Sequence, residues 1–176
     1  MSTQRIFLRH KLLFTALALL AAAAPFAWGE RASATAWKLL AVAYPDARDV
    51  EIQIGGAEKS LTARGTAKVK WRDGTADIAL EADQVPSPSE LGKGSQLVLW
   101  AIDQEKKVVN LGAVHQSGKK VEAKAKAPFR IFGLLVTAEA DAGAKSPSTA
   151  VALESKLPVN PNLVLPVFRV EIPLGS

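Results

Sequence analysis

The strongest constraint on the fold of this chain is an alternation of apolar and polar side chains that begins near residue 50. Val50, Ile52 and Ile54 alternate with Glu51 and Gln53. The same alternation returns at residues 67–72, 77–81 and 120–126. Because successive side chains of a strand point to opposite faces, this pattern predicts half-buried β-strands. Beyond the N-terminal segment, the 3.6-residue period of an amphipathic helix is not found in the sequence.

Turn residues and apolar runs divide the chain further. Asp73-Gly74 directly follows one alternating segment and predicts a two-residue hairpin. Gln96–Asp103 and Phe129–Thr137 are almost continuously apolar, which predicts central strands buried on both faces. Val85–Gly94 is rich in Pro, Ser and Gly and is too long for a hairpin, so it suits a crossover between two sheets. Gly112 lies within a strand pattern and predicts a bulge.

These signals predict an all-β fold: an antiparallel, two-sheet, immunoglobulin-like sandwich over residues 36–156. We expect Trp71 and Trp100, on either side of the crossover, to lie in the core between the sheets. Residues 149–153 are expected to form an edge-like strand. The tail at 157–176 contains four prolines. It is predicted to add an edge strand at Val167–Ile172, or to remain a linker or an extended arm.

The N-terminal segment has the composition of an export signal. Arg5, Arg9 and Lys11 precede the apolar run Leu12–Ala24, and small residues follow Pro25. This pattern predicts a signal peptide at 1–29, cleaved after residue 29 or 34. The alternative is a short helical anchor at 12–28 in the inner membrane. Either reading places the remainder outside the cytoplasm, in the periplasm or the extracellular space, with membrane contact only through this segment.

Composition narrows the classes of function. The chain has 22 Lys and Arg against 17 Asp and Glu, a net charge of +5, but three of the bases belong to the N-terminal segment. The basic balance is therefore weak, and we expect no nucleic-acid partner. Cysteine is absent, which excludes disulfides, thiol nucleophiles and thiolate metal sites.

Four pieces of sequence carry a resemblance to a known family: Tyr44–Ala47, Gly65–Pro88, Gly94–Asp103 with Val109–Val114, and Phe132–Leu153. Their strand and turn motifs, in this order, resemble the extracytoplasmic C-terminal domain of anti-sigma-K-type anti-sigma factors. The resemblance implies a β-sandwich that works outside the cytoplasm. In the family a cytoplasmic sigma-binding domain comes first, whereas here eleven residues precede the apolar run. We therefore expect no binding of a sigma factor, and the resemblance assigns no functional residue.

One surface feature is a candidate interaction face. Basic residues recur on the predicted outer faces of two strands, namely Lys68, Lys70, Arg72, Lys120, Lys124 and Lys126. If the two strands share a sheet, these residues form a basic face that suits an acidic partner. The alternative is an ordinary solvated strand face, whose lysines prevent edge aggregation.

Other polar residues favour structural roles. His115 is the one histidine beyond the N-terminal segment, and it lies beside a polar turn where we expect a solvated loop residue. The acid pairs Asp103/Glu105 and Glu139/Asp141 flank turns without further ligands. We therefore predict no enzyme, no cofactor and no metal site. The expected function is an exported, non-catalytic envelope domain that binds an envelope protein or polymer, or scaffolds. The alternative is a membrane-tethered sensor or regulator.

Overall fold

A computed structural model of the 176-residue chain describes residues 35–57, 60, 62–92 and 94–175. The predicted signal peptide or anchor, at 1–29 with its apolar part at 12–28, lies outside these residues. Within the described ranges, no helix is both long enough and apolar enough to cross a membrane.

The described residues form eleven β-strands with antiparallel pairings, which confirms the predicted all-β, antiparallel class. In chain order they are β1 (Thr35–Ala43), β2 (Asp49–Gly56), β3 (Arg64–Arg72), β4 (Thr75–Asp83), β5 (Gln96–Asp103), β6 (Val108–Ala113), β7 (His115–Ser117), β8 (Lys120–Ala127), β9 (Ile131–Glu139), β10 (Val151–Pro158) and β11 (Val167–Leu174).

The strands belong to one hydrogen-bonded sheet that is nearly barrel-shaped. Its main path runs β11-β1-β9-β10-β2-β3-β4-β8-β7, and β5 joins the other edge of β9. The consecutive strands β6 and β7 have different neighbours, because β6 pairs with β5 and β7 pairs with β8. The chain from β6 to β7 therefore connects the β5–β6 branch to the β8–β7 end of the main path.

The main hydrophobic core is built from the inward-facing residues of this curved sheet. Ile52 of β2, Leu80 of β4, Leu99 of β5 and Leu134 of β9 are each at most 1% exposed. Full burial of such a side chain is worth about 1.5–3 kcal/mol. The alternation seen in the sequence thus selects which face of each strand enters the core.

A second apolar layer forms where the two-stranded ribbon of β1 and β11 packs on β5 and β9. Leu39 and Ile172 of the ribbon cluster with Trp100 and Leu135 of the sheet. Strands β5 and β9 are therefore covered on both faces. This confirms the expectation from their nearly continuous apolar sequences.

The prediction that Trp71 and Trp100 share one core is wrong. Trp100 is fully buried in the second layer, whereas Trp71 is half-buried and packs against the main core. The cause is strand alternation: residues 97, 99 and 101 of β5 face the main core, while 98, 100 and 102 face the ribbon.

The predicted hairpin at Asp73-Gly74 is confirmed and sets the register of β3 and β4. Asp73 has φ 50° and Gly74 has φ 79°, as a type I′ turn requires. Arg72 accordingly faces Thr75. The bulge at Gly112 is also confirmed, because the β5–β6 register shifts between Leu99 and Trp100. Gly112 has φ 106°, which favours glycine.

The loop after β4 leads to β5, on the other side of the main core. Near its start, the Glu90 carboxylate accepts hydrogen bonds from the Ser87 amide at 2.7 Å and the Ser87 hydroxyl at 2.8 Å. These bonds hold the pKa of Glu90 below its ordinary value. Val85 and Leu91 are buried and fasten the loop to the main core.

The prediction of an edge-like strand at 149–153 is wrong in both its bounds and its position in the sheet. Strand β10 begins at Val151 and pairs with β9 on one side and β2 on the other, so it is an interior strand. The tail at 157–176 contributes β11, which pairs with β1 from Val167 to Leu174. Strand β11 lies at the edge of the sheet.

Candidate interaction face

The six predicted basic residues lie on one face of one sheet segment. Strand β4 separates the two strands that carry them, since β3 pairs with β4 and β4 pairs with β8. Lys70 faces Asp77, which in turn faces Lys126. One row further along, Lys68 faces Ala79. Ala79 in turn faces Lys124. The structure therefore brings the two groups of bases together, with the side chains of β4 between them.

The bases on this face are largely neutralised by acids. The Asp77 carboxylate forms an ion pair with Lys126 at 2.8 Å and with Arg72 at 3.1 Å. The hydrogen bond and charge of Lys126, followed by those of Arg72, hold the pKa of Asp77 below its ordinary value. Further pairs join Lys70 to Asp49 at 3.4 Å and Lys120 to Asp83 at 3.8 Å. The face is therefore mixed in charge, unlike the uniform basic face that the sequence suggested.

Lys68 and Lys124 differ from the other four bases. Neither makes an ion pair within the described part of the chain, and both side chains are exposed. Glu51 is opposite Lys68 on β2, but the two side chains are not within ion-pair distance. Both ammonium groups are therefore available to a ligand.

Ala79 lies between Lys68 and Lys124 and leaves open space between the two lysines. Its methyl group is the shortest side chain in the row. A groove of about 670 Å³ lies over Lys68, Ala79 and Lys124 and extends over the neighbouring row, whose lining residues are Asp49, Lys70, Asp77 and Lys126. Strands lie about 4.8 Å apart, so the two backbones are separated by roughly 10 Å. The floor is the outer surface of β4. We call this feature the lysine groove, and Lys68, Ala79 and Lys124 define it.

The next row along the sheet has the opposite charge. Glu81 faces Glu122 across the strands, and Glu122 faces His115 on β7. A depression of about 270 Å³ lies over these residues and also touches Lys124. Three metal-ligating side chains do not converge there or elsewhere among the described residues. His115 is exposed as expected, but it begins β7 instead of lying in a loop.

The buried acids serve the fold. Asp103 is 8% exposed, and its carboxylate accepts the amides of Glu105 and Lys107, each at 2.8 Å. Glu139 is 6% exposed and accepts the amide of Ser148 at 2.8 Å and the hydroxyl of Thr137. Both carboxylates thus fix turns that lead away from strands.

Sequence reasoning found the lysines but missed their neutralisation. The ion pairs between β3 and β4 could have been predicted from the sequence. A two-residue turn at Asp73-Gly74 sets the register of the two strands, so facing residues are found by counting outward from the turn. That count places Asp77 opposite Lys70 and Ala79 opposite Lys68. The pairing of β4 with β8 is a long-range contact that no local pattern reports.

Comparisons with known proteins add no relative to this picture. The chain matches no protein-family model, no curated protein and no solved structure. The lysine groove and the sequence are therefore the features from which function is inferred.

Proposed function

We propose that this chain is an exported, non-catalytic domain of the cell envelope that binds an acidic polymer through Lys68 and Lys124. The observation that carries the proposal is the charge arrangement of the lysine groove. Two exposed cations without ion pairs among the described residues stand on either side of a short side chain, while neighbouring cations are held by acids. A ligand with repeating negative groups can contact both ammonium groups at once.

The surroundings of the groove favour a polymer over a small ligand. The groove is open and crosses the sheet, so an extended chain can lie along it without entering the protein. The residues on β4 and β8 change from cationic at Lys124 to acidic at Glu81 and Glu122. This charge boundary gives the groove a direction, because an anionic chain is repelled at its acidic side.

Export is part of the proposal and rests on the sequence. The basic start and the apolar run at 12–24 have the order of a signal peptide. The alternative is a retained anchor at 12–28, which would make the domain a membrane-tethered sensor or regulator. In both cases the lysine groove meets polymers of the periplasm or the extracellular space.

The finer fold assignment is also a proposal. We propose that the nearly barrel-shaped sheet is a variant of the two-sheet, immunoglobulin-like sandwich, akin to the outer domain of anti-sigma-K-type factors. The support is the main core, in which residues of β5 and β9 cluster with residues of β3, β4 and β8. The order of the quoted motifs is the second support.

The test compares the affinity of the full chain and its variants for a soluble polygalacturonate. The double variant Lys68→Gln/Lys124→Gln removes both free cations. The control, Lys106→Gln/Lys145→Gln, removes the same charge from exposed lysines elsewhere. We expect the groove variant to bind about tenfold more weakly or worse, because charged hydrogen bonds are worth about 1.5–3 kcal/mol each. Equal losses in both double variants, or no binding by the wild-type chain, would refute the proposal.

A further inference from the structure

Exposed apolar side chains are concentrated in one segment of the described chain. The large apolar residues with substantial exposure are Leu157 at 53%, Val159 at 40%, Val164 at 91%, Val167 at 38% and Phe168 at 39%. They extend from the last two residues of β10 to the first two residues of β11. Clustered exposure of this kind marks an interaction surface more often than scattered single residues do.

The same segment leads into an open sheet edge. Among the described strands, β11 pairs with β1 alone, so one side of its backbone has no partner strand. The Ala43 amide donates to the Pro166 carbonyl at 3.0 Å. Because backbone groups of successive residues point to opposite sides of a strand, this bond shows which residues of β11 direct their N–H and C=O groups towards β1. The residues whose backbone groups then point away from β1 are Val167, Arg169, Glu171 and Pro173.

These outward positions carry a self-complementary charge pattern. Arg169 and Glu171 are both exposed and are separated by one residue, the buried Val170. If a second β11 pairs antiparallel about Val170, Arg169 of each copy lies opposite Glu171 of the other. Phe168 then lies opposite Ile172. Opposite charges that face each other across strands are stabilising, by about 0.2–1 kcal/mol per pair.

We infer that the protein forms a two-fold symmetric dimer in which β11 of one copy pairs with β11 of a second copy. The pairing would extend the sheet across both molecules through backbone hydrogen bonds. It would also cover Val167 and Phe168, which are otherwise exposed at the edge. The interface is isologous, since each residue contact occurs twice by symmetry.

The edge has features that exclude other pairings. Pro173 lacks an amide, so it donates no hydrogen bond to an added strand. In the register about Val170 it faces Val167 at the two ends of the interface, where its carbonyl still accepts. A register shifted so that Arg169 faces Arg169 places like charges together and is disfavoured. The sequence of β11 therefore favours the symmetric register about Val170 over the adjacent register about Arg169.

The test is a complementation experiment with two single variants of the full chain. In a self-dimer, Arg169→Glu places two acidic side chains opposite each other, whereas Glu171→Lys places two basic side chains opposite each other. Each variant alone therefore faces like charges. In the register about Val170, the substituted glutamate of one copy faces the substituted lysine of the other, and Arg169 faces Glu171 at the second position.

Sedimentation velocity over a series of concentrations measures association of wild type, each variant and their equimolar mixture. We expect the wild type to dimerise and each variant to have a dissociation constant raised by about tenfold or more. The mixture is expected to recover dimer formation, because its pairing restores both reciprocal contacts. Far-ultraviolet circular dichroism of each variant checks that the sheet is intact.

Two results would overturn the inference. The first is a wild type that is monomeric at every concentration. The second is a mixture that associates no better than the separate variants, since this would mean that another surface or another partner strand is used.

Discussion

The indole Nε1 of Trp100 donates a hydrogen bond of 2.7 Å to the Oγ1 of Thr137 on the adjacent strand. Both residues are fully buried. The Thr137 hydroxyl in turn donates to the carboxylate of Glu139. The three side chains thus form a hydrogen-bonded series within an apolar layer, and the Thr137 hydroxyl links the Trp100 N–H to the Glu139 carboxylate.

Replacing Thr137 by Val should therefore destabilise the protein. The substitution keeps the shape but leaves the Trp100 N–H and one carboxylate oxygen of Glu139 without this partner. We expect a loss of about 1–3 kcal/mol in the free energy of unfolding, measured by urea denaturation. Thr137→Ser retains the hydroxyl and is the matched control, with a smaller loss. A Val variant as stable as the Ser variant would show that the hydrogen-bonded series contributes nothing.

Removing the hydroxyl of Tyr44 should have the opposite effect on stability. The ring packs beside Phe132, with centroids 4.7 Å apart, and the buried hydroxyl has no hydrogen-bond partner within the described residues. An unsatisfied polar group opposes folding. Tyr44→Phe should therefore leave the free energy of unfolding unchanged or raise it by about 1 kcal/mol. A marked loss of stability would indicate a partner for the hydroxyl.

Tyr44 also provides a spectroscopic test, because it is the one tyrosine in the chain. Burial raises its pKa well above the ordinary value, since the phenolate is poorly solvated inside the core. The unfolded chain ionises first, so this group's contribution to stability falls as pH rises above about 10. Tyrosinate absorbance should stay absent until the protein unfolds. Ionisation at the ordinary pKa in the folded protein would contradict burial of this side chain.

Asp77 should make stability depend on acid pH. Its pKa is lowered by Lys126 and then Arg72, so its ion pairs contribute above the unfolded pKa of about 3.9. That contribution is lost as pH falls through the lower folded value. Urea denaturation from neutral to strongly acid pH should show a shallower decline for Asp77→Asn than for wild type. Parallel curves would mean that the two cations do not act on Asp77.

A substitution at Gly133 tests the close contact between the backbones of β1 and β9. A Cβ atom built at residue 133 would lie 2.4 Å from the Leu40 carbonyl oxygen. Gly133→Ala should therefore cost about 3 kcal/mol, because backbone atoms must move. The control is Gly143→Ala, where the nearest neighbour is the flexible Asp141 carboxylate at 3.1 Å. Similar stability of both variants, measured by thermal unfolding, would contradict the close contact between β1 and β9.

Local patterns predicted much of this fold. Alternation located β2, β3, β4 and β8, and continuous apolar sequence located β5 and β9. The Asp73-Gly74 turn predicted one register correctly, because two-residue turns leave little freedom to the flanking strands. These features depend on neighbours in the sequence, so the sequence alone is sufficient for them.

Long-range pairing could not be predicted in the same way. The ribbon of β1 and β11 joins the two ends of the described chain, and its packing on β5 and β9 helps to bury Trp100 outside the main core. The interior position of β10 likewise depends on two distant partners. The lysine groove follows from the pairing of β4 with β8, which places Lys124 beside Ala79.

The central claim is that the lysine groove is the binding surface of this domain. The most direct measurement is backbone amide chemical-shift mapping of the protein titrated with an oligogalacturonate, with neutral dextran as control. We predict shifts centred on Lys68, Ala79 and Lys124 that weaken with added salt, and none with dextran. Shifts confined to other surfaces, or no response to the acidic oligosaccharide, would contradict the claim.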